Sequence, residues 1–150
     1  MSGALTDREI VERYARAAAQ NDLDAMEALR HPDWVVAWPQ SGESVRGNER
    51  FAAIVERYPG GRPTVEVSRI TGSEDHWVVT PSDTVLRVAG GGDFWSSEWS
   101  MTYPDGQVYR VVDLIELRGG SVYRETVYWA APFQAPEWRR PFVESSAPAD

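Results

Sequence analysis

The sequence predicts an α+β protein in which helices come first and a strongly curved, mostly antiparallel sheet follows. Helical spacing of apolar residues is confined to the chain before Pro59. The alternation of apolar and polar residues that is typical of strands runs from Thr64 to Phe133. Strong turn signals at Tyr103–Gly106 and Gly119–Gly120 join the last strands into hairpins. Helices followed by antiparallel strands are typical of the α+β class.

The composition predicts one globular domain. A chain of 150 residues with 42% hydrophobic and 25% charged residues can bury one sizeable core. We therefore expect a single domain over residues 1–150, in which the polar residues 144–150 form a flexible tail. Seven tryptophans are many for this length and indicate an aromatic-lined interior or interface.

Charge and missing residue types exclude several functions. A net charge of −8 disfavours nucleic acids and anionic membranes as partners, and no apolar run approaches the roughly 20 residues of a membrane span. The N-terminus lacks the pattern of a signal peptide, so we expect a cytoplasmic protein. Without cysteine or lysine there is no thiolate nucleophile or Schiff base. His31 and His76 show no metal-ligand spacing, and we expect neither metal nor cofactor.

Three helices are predicted before the sheet. Thr6–Glu9 has the residues of a capping box, and apolar residues at helical spacing follow it. Asn21–Asp22 caps a second helix over Leu23–Leu29, which ends at His31–Pro32 because the residue before proline disfavours helical backbone. The third helix is predicted over Gly47–Tyr58, where apolar residues share one face.

Seven strands are predicted around these helices. Pro39–Glu43 is a turn or loop that follows the first of them. The strands are Trp34–Trp38, Thr64–Thr71, His76–Val79, Thr84–Val88, Phe94–Tyr103, Val108–Leu117 and Ser121–Ala130.

Asp113 is the residue that most strongly suggests a site. Alternate residues of a strand share a face, and those that share a face with Asp113 in its strand are apolar: Tyr109, Val111, Ile115 and Leu117. A carboxylate on such a face indicates either a functional site or a different register. The first hairpin predicts Trp99 opposite Val111 and Ser97 opposite Asp113.

The second hairpin extends this face to the last strand. A two-residue turn at Gly119–Gly120 predicts Thr126 opposite Asp113, Arg124 opposite Ile115 and Tyr128 opposite Val111. The other face then carries charges that we expect to be solvated: Glu98, Arg110, Glu116, Arg118 and Glu125. A slip of one residue would exchange the two sets.

Several strings resemble the SnoaL-like part of the nuclear transport factor 2-like superfamily. These are WPQSGESVRG at Trp38–Gly47, YPDG at Tyr103–Gly106, LRGGSVYRETVY at Leu117–Tyr128 and APFQAPEWR at Ala131–Arg139. The resemblance implies a cone in which a curved sheet wraps around helices and encloses an apolar cavity. It also implies a homodimer formed through the sheet, and members with cyclase, isomerase, dehydratase or epoxide hydrolase activity. SnoaL-like cyclases use a pocket aspartate as acid and base, a role that Asp113 could take.

The predicted function is the binding of a small, largely apolar molecule in a conical pocket, with or without acid/base catalysis. Predicted catalytic residues are Asp113, Tyr128 and Arg124. Predicted ligand-binding residues are Trp38, Gln40, Tyr58, Trp95, Trp99, Met101, Tyr109 and Val111. The alternative is a non-catalytic binding or dimerisation module. A cavity of about 300 Å³ or more beside Asp113 would favour a ligand, and tight packing of Trp95, Trp99 and Tyr128 would favour the module.

A homodimer is the predicted assembly. Apolar residues lie among the charges of the outer sheet face, and such a face needs cover. The residues expected there are Val112, Leu114, Val127 and Trp129.

Overall fold

The computed structural model describes residues 3–72 and 92–144 and has the predicted α+β class. Its helices are α1 (Asp7–Ala19), α2 (Leu23–Leu29) and α3 (Asn48–Glu56), with a 3₁₀ helix at Glu137–Phe142. Its strands are β1 (Arg30–Trp38), β2 (Glu43–Arg46), β3 (Thr64–Gly72), β4 (Phe94–Thr102), β5 (Val108–Arg118) and β6 (Ser121–Ala130). The predicted strands His76–Val79 and Thr84–Val88, with His76, lie outside the described residues, as do residues 145–150 of the predicted tail.

The first two helices begin with the predicted caps. The Thr6 hydroxyl accepts a hydrogen bond from the Glu9 backbone N–H at 3.2 Å, and the Glu9 carboxylate accepts one from the Thr6 N–H at 2.8 Å. Asp22 accepts from the backbone N–H of Ala25 at 3.0 Å. These bonds satisfy N–H groups that have no partner within a helix, so both helices start where the sequence indicates.

Three boundaries differ from the prediction. β1 starts at Arg30, directly after α2, so His31 lies in a strand and not at a helix end. β2 forms where only a loop was expected, because Glu43–Arg46 pairs antiparallel with the end of β1. α3 ends at Glu56, two residues before the expected end.

The described strands form one six-stranded sheet in the order β2-β1-β6-β5-β4-β3. β1 runs parallel to β6, and the other neighbouring pairs are antiparallel. The inner face of the sheet packs against α1 and α2 around buried residues that include Ile10, Tyr14, Trp34, Trp95 and Ile115. The helices therefore cover one face of the sheet, as in the cone that the sequence predicts.

The register of β4 with β5 confirms the first predicted hairpin. Trp99 pairs with Val111, Met101 with Tyr109, and Ser97 with Asp113. Asp113 therefore faces inward with Val111 and is fully buried.

The register of β5 with β6 is one residue away from the prediction. Val127, and not Thr126, lies opposite Asp113, and Trp129 lies opposite Val111. The cause is a bulge near the turn: Leu117 pairs with Val122 but Glu116 pairs with Arg124, so Tyr123 is an extra residue.

The bulge reverses the face of every residue beyond it in β6. Arg124 and Tyr128, predicted on the pocket face, are exposed on the outer face, and Glu125, predicted as solvated, is buried. Val127 and Trp129 are also turned inward, so they do not belong to the outer face on which a dimer was expected.

Contacts at both ends of the bulge account for it. Val122 and Glu125 are both buried, although simple alternation would put residues three apart on opposite faces. Tyr123 lies outside the core, where the Arg118 guanidinium stacks 3.7 Å from its ring and the edge of His31 contacts it at 5.3 Å. One additional residue allows both inward side chains to reach the core.

Single cysteines can test this register, because the chain has none of its own. We expect Arg124→Cys to react with a soluble thiol reagent at least about tenfold faster than Val127→Cys, since Arg124 is exposed and Val127 lines a cavity. The measurement is the labelling rate of each folded variant. The reverse order of rates would restore simple alternation and contradict the bulge.

Candidate functional site

A partly open cavity of about 200 Å³ lies between the helices and the inner face of the sheet. Apolar side chains from α1, α2, α3 and five strands line it, including Met26, Phe51, Ile54, Val36, Val65 and Val127. Its charged lining residues, among those that the structure describes, are Arg30, Asp113 and Glu125. An apolar cavity with a few convergent polar groups is the usual form of a small-molecule site.

Strand register shows how the cavity is layered along β5. Ser97, Asp113 and Val127 form one row across the sheet. The next inward row toward the Tyr103–Gly106 turn contains Trp99, Val111 and Trp129, about 7 Å away because each strand residue advances about 3.3 Å.

The opposite row, away from that turn, contains Trp95, Ile115 and Glu125. Trp95 and Ile115 belong to the packed core and close the cavity at this end. Glu125 thus lies one row below Asp113, and the tryptophans Trp99 and Trp129 lie one row above it.

Asp113 is the unusual group of this cavity. Its side chain is 0% exposed, and neither carboxylate oxygen accepts a hydrogen bond from a donor in residues 3–72 or 92–144. Ser97, directly opposite, is occupied as acceptor of a hydrogen bond from the indole N–H of Trp99. A buried carboxylate without donors is costly, so this position favours a neutral acid or a bound partner.

Glu125, in contrast, is held by two donors. Its Oε2 accepts one hydrogen bond from the Tyr14 hydroxyl and one from the Trp34 indole N–H, both at 2.8 Å. Tyr14 comes from α1 and Trp34 from β1, so Glu125 joins the first helix to two strands of the sheet. These two hydrogen bonds satisfy an oxygen of a buried carboxyl group that would otherwise lack a partner in the core.

Arg30 supplies the positive charge of the cluster. Its Nε donates to the Tyr14 hydroxyl at 2.7 Å, and its Nη1 donates to the Asn48 side-chain oxygen at 2.9 Å. The guanidinium lies 3.6 Å from the centre of the Trp34 ring and 4.5 Å from that of Phe51. Hydrogen bonds and cation–π contacts together stabilise a buried arginine.

The two acids of the cavity therefore differ in protonation. Burial raises the pKa of Asp113 well above its usual value, the negative charge of Glu125 and hydrogen bonding to Glu125 raise it further, and Arg30 opposes this rise. When Asp113 carries the proton, it is itself a donor to Glu125. Arg30, ionised Glu125 and neutral Asp113 then sum to zero charge. Burial likewise raises the pKa of the Tyr14 hydroxyl, with the Glu125 charge as the second cause, so Tyr14 stays a donor.

The predicted ligand-binding residues separate into two groups. Those that line the cavity are Trp38, Tyr58, Trp99, Met101 and Val111. The other three lie elsewhere. Trp95 is packed in the core and donates to the Gly92 carbonyl, and exposed Gln40 accepts from the Trp129 backbone N–H at 2.7 Å. Tyr109 contacts the ring of Tyr103, a residue of the cavity wall, at 5.2 Å.

The predicted catalytic partners of Asp113 are not brought to it. Arg124 and Tyr128 lie on the outer sheet face because of the bulge at Tyr123. Sequence reasoning instead missed the group that surrounds Glu125. Only a bulge would have turned Glu125 inward, and alternation of side chains gave no signal of one.

Aromatic rings narrow the cavity away from Asp113. Trp38 meets Trp129 edge to face at 5.6 Å, and Tyr58 meets Tyr103 in the same way at 6.0 Å. Burial, with the neighbouring tyrosines as lesser causes, raises the pKa of Tyr103 to about 12, so its hydroxyl remains neutral. These rings reduce the cavity below the 300 Å³ expected for a ligand but leave it unfilled.

The described part of the chain has neither a metal-binding cluster nor a membrane-spanning helix. No group of three or more metal-binding side chains is present in residues 3–72 and 92–144. Within the same ranges, no helix is long and apolar enough to cross a membrane.

Comparison with known proteins identifies the family. The family model of the SnoaL-like domain matches residues 11–125, which includes α2, α3, β1 to β5, the first half of β6 and the carboxyl pair. The chain belongs to the SnoaL-like family. Curated proteins gave no match.

Solved structures agree with this membership. An NTF-2-like protein of unknown function from Burkholderia xenovorans is 31% identical, with 94% of this chain and 95% of that chain covered and a TM-score of 0.69. A proposed ketosteroid isomerase from Kribbella flavida is 22% identical, with 96% and 91% covered and a TM-score of 0.72. A proposed polyketide cyclase from Pseudomonas putida is 20% identical, with 85% and 93% covered and a TM-score of 0.60. The last two share the fold.

The protonation of Asp113 predicts a pH dependence of stability. Because its pKa is higher in the folded than in the unfolded chain, the unfolded chain loses this proton first as the pH rises above about 4. Below about pH 4 this proton contributes its full stabilisation of the folded chain. As the pH rises further, its contribution to the free energy of unfolding falls by up to about 1.4 kcal/mol per pH unit, until the pH exceeds the pKa of Asp113 in the folded chain. Asn at this position cannot ionise, so we expect the free energy of unfolding of Asp113→Asn, relative to that of the wild type, to rise as the pH increases above about 4.

Urea unfolding at a series of pH values measures this difference. Asp33→Asn is the matched control, because Asp33 is exposed and its substitution removes the same charge. A wild-type protein whose stability changes with pH in parallel with that of Asp113→Asn would show that Asp113 ionises normally.

Proposed function

We propose that this protein binds a small, largely apolar molecule in its cavity and moves a proton to or from it with the Asp113–Glu125 pair. The observation that carries the proposal is the fully buried Asp113 carboxyl group, which lines the cavity and whose oxygens accept no hydrogen bond from the residues that the structure describes. A polar group left unpaired in a core costs stability, so its presence in a cavity wall points to a role with a ligand.

The pair has the parts that acid/base catalysis needs. Asp113 supplies a proton that burial and the negative charge of Glu125 hold more tightly, because both raise its pKa well above the usual value of an aspartic acid. Glu125 is positioned beside it by its hydrogen bonds to Tyr14 and Trp34. A neutral acid in an apolar site can donate to a carbonyl, hydroxyl or epoxide oxygen as charge develops there. Once Asp113 has given up its proton, it can accept one from the ligand, and Arg30 stabilises the second negative charge.

The cavity walls support a ligand of modest size. An engineered cavity of roughly 150 Å³ in another protein holds benzene, so about 200 Å³ suits a molecule of one or two small rings. Its apolar body would contact Trp99, Val111 and Trp129, with its polar atom at Asp113. Tryptophan and tyrosine walls favour a planar or cyclic body.

Binding without catalysis is the second candidate. It is favoured by the cavity volume, which is below 300 Å³, and by the bonds that tie Glu125 to Tyr14 and Trp34. In that case the pair would only orient a polar ligand group. The two candidates differ in whether hydrogen on the bound molecule exchanges with solvent.

A matched pair of tryptophan substitutions tests the cavity. Val111 lines it, while the adjacent Val112 is 38% exposed on the other sheet face. We expect Val111→Trp to fill the cavity and weaken binding of 1-indanone, a compact bicyclic ketone, by at least about tenfold. Val112→Trp should leave affinity within about twofold. The measurement is ligand titration followed by the indole N–H signals of the protein in NMR, with α-hydrogen exchange of the ketone in D₂O followed in parallel.

The outcomes separate the candidates. Binding that is blocked in Val111→Trp and accompanied by accelerated exchange supports the catalytic proposal. Blocked binding without exchange supports the binding module. Equal affinity in both variants, or no binding to the wild type, would show that the cavity does not serve as the proposed site.

A further inference from the structure

The charges that line the cavity do not balance when both acids are ionised. In the described part of the chain these charges are one arginine and two carboxylates, Arg30, Asp113 and Glu125. The sum is then −1. The isolated protein removes the excess by keeping a proton on Asp113, whereas a bound cation could remove it directly.

Arg30 is held by several partners within the protein. Its Nε and Nη1 donate to Tyr14 and Asn48, and its guanidinium plane stacks on Trp34 at 3.6 Å. Tyr14 in turn donates to Glu125, so hydrogen bonds link Arg30 to Glu125, whereas its charge acts on Asp113 without a hydrogen bond among those described. Asp113 is left with no donor for either oxygen.

The row above Asp113 contributes aromatic side chains to the cavity wall. Trp99 and Trp129 flank Val111 in that row, and both line the cavity. The Trp99 indole N–H is directed to Ser97, the residue opposite Asp113, which brings that ring toward the carboxyl group. Trp38 packs edge to face on Trp129 at 5.6 Å and adds a third indole to the wall. Aromatic faces attract cations, and indole does so most strongly.

We propose that the ligand of this cavity carries a basic nitrogen and is bound as an ammonium ion between Asp113 and the tryptophans Trp99 and Trp129. The inference rests on the binding part of the proposed function, since it names the chemical class of the molecule held in the same cavity. In this complex Asp113 is the ionised partner of the ligand and not its proton donor. The ligand is a primary or secondary amine with an apolar body of one or two rings. Its N–H groups donate to the carboxylate oxygens of Asp113, for which the described residues supply no donor.

Binding of the ammonium ion is accompanied by loss of the Asp113 proton. The amine arrives as an ammonium ion at neutral pH, and the O–H bond of Asp113 breaks as the carboxylate forms beneath it. One proton leaves for the solvent. The bound state then contains two positive charges, on Arg30 and the ligand, and two negative charges, on Asp113 and Glu125. Carboxylate ligands would instead add a negative charge to the same cluster and are excluded.

The charge of the whole chain acts in the same direction. A net charge of −8 raises the local concentration of cations around the protein and lowers that of anions. This effect is weakened by salt, whereas the contact with Asp113 is buried and screened little. Preference for amines should therefore persist at high ionic strength.

Three probes of nearly equal size test the proposal by calorimetric titration at neutral pH: 2-phenylethylamine, 2-phenylethanol and phenylacetate. We expect the amine to bind at least about tenfold more tightly than the alcohol, and phenylacetate to bind at least about a hundredfold more weakly than the amine. In Asp113→Asn the amine should lose its advantage over the alcohol. Asp33→Asn, which removes an exposed carboxylate, should keep it.

Wild-type protein alone gives a second measurement, which is needed if Asp113→Asn does not fold. Titration in two buffers of different ionisation enthalpy counts protons. We expect about one proton released per bound amine and none per bound alcohol. An alcohol that binds as tightly as the amine, or an amine that binds without releasing a proton, would overturn this inference and leave the cavity as a binding site. Failure of all three probes to bind would overturn the proposed function as well.

Discussion

The fixed negative charge of Glu125 is the constraint around which the interior of this protein is arranged. A carboxylate 4% exposed in an apolar core is tolerated only where donors and a counter-charge meet it. Tyr14 and Trp34 supply the donors, and Arg30 supplies the charge through Tyr14. These partners come from α1 and β1, so the same bonds that satisfy Glu125 also attach the first helix to the sheet. Removing any of them would leave a buried polar group unpaired.

Asp113 depends on that arrangement. The acid has no donor of its own, and the neighbouring charge of Glu125 works with burial to keep it protonated. The two carboxyl groups of the cavity thus differ in protonation, because the neighbouring donors Tyr14 and Trp34 both bind Glu125 and not Asp113. The fold of the family positions the two acids, and the proton on Asp113 makes this residue the proton donor of the cavity.

The bulge at Tyr123 is what brings the pair together. Without it, Arg124 would face the cavity and Glu125 would face solvent, and the core would contain one acid, Asp113, beside two arginines. A single additional residue near the turn therefore decides the chemistry of the interior. Bulges near sites commonly redirect side chains in this way.

Much of this structure could be predicted from the sequence where the signals are local. The capping residues Thr6 and Asp22 predicted the starts of α1 and α2, and the Tyr103–Gly106 turn predicted the register that places Asp113 inward. The predictions that were wrong concern features that depend on tertiary contacts. Tyr14 and Glu125 are 111 residues apart in the chain, and no spacing rule joins them.

Predicted boundaries of helices and strands were wrong for the same reason. β2 is four residues long at the sheet edge and exists through its pairing with β1, so its own sequence carries little strand signal. The bulge in β6 was invisible because alternation of side chains was assumed to continue through Tyr123. Five predicted lining residues are nevertheless correct as cavity walls, since they lie on strands or helices whose inner face is marked by apolar residues: Trp38, Tyr58, Trp99, Met101 and Val111.

The protonation of the pair can be read directly from the carboxyl carbons. The measurement is carbon-13 NMR of protein labelled at the side-chain carboxyl groups of aspartate and glutamate, at about pH 7, with resonances assigned through Asp113→Asn and Glu125→Gln. We expect the carboxyl carbon of Asp113 to have the chemical shift of a neutral acid and that of Glu125 to have the chemical shift of a carboxylate. Two carboxylates, or a neutral Glu125 beside an ionised Asp113, would contradict this expectation.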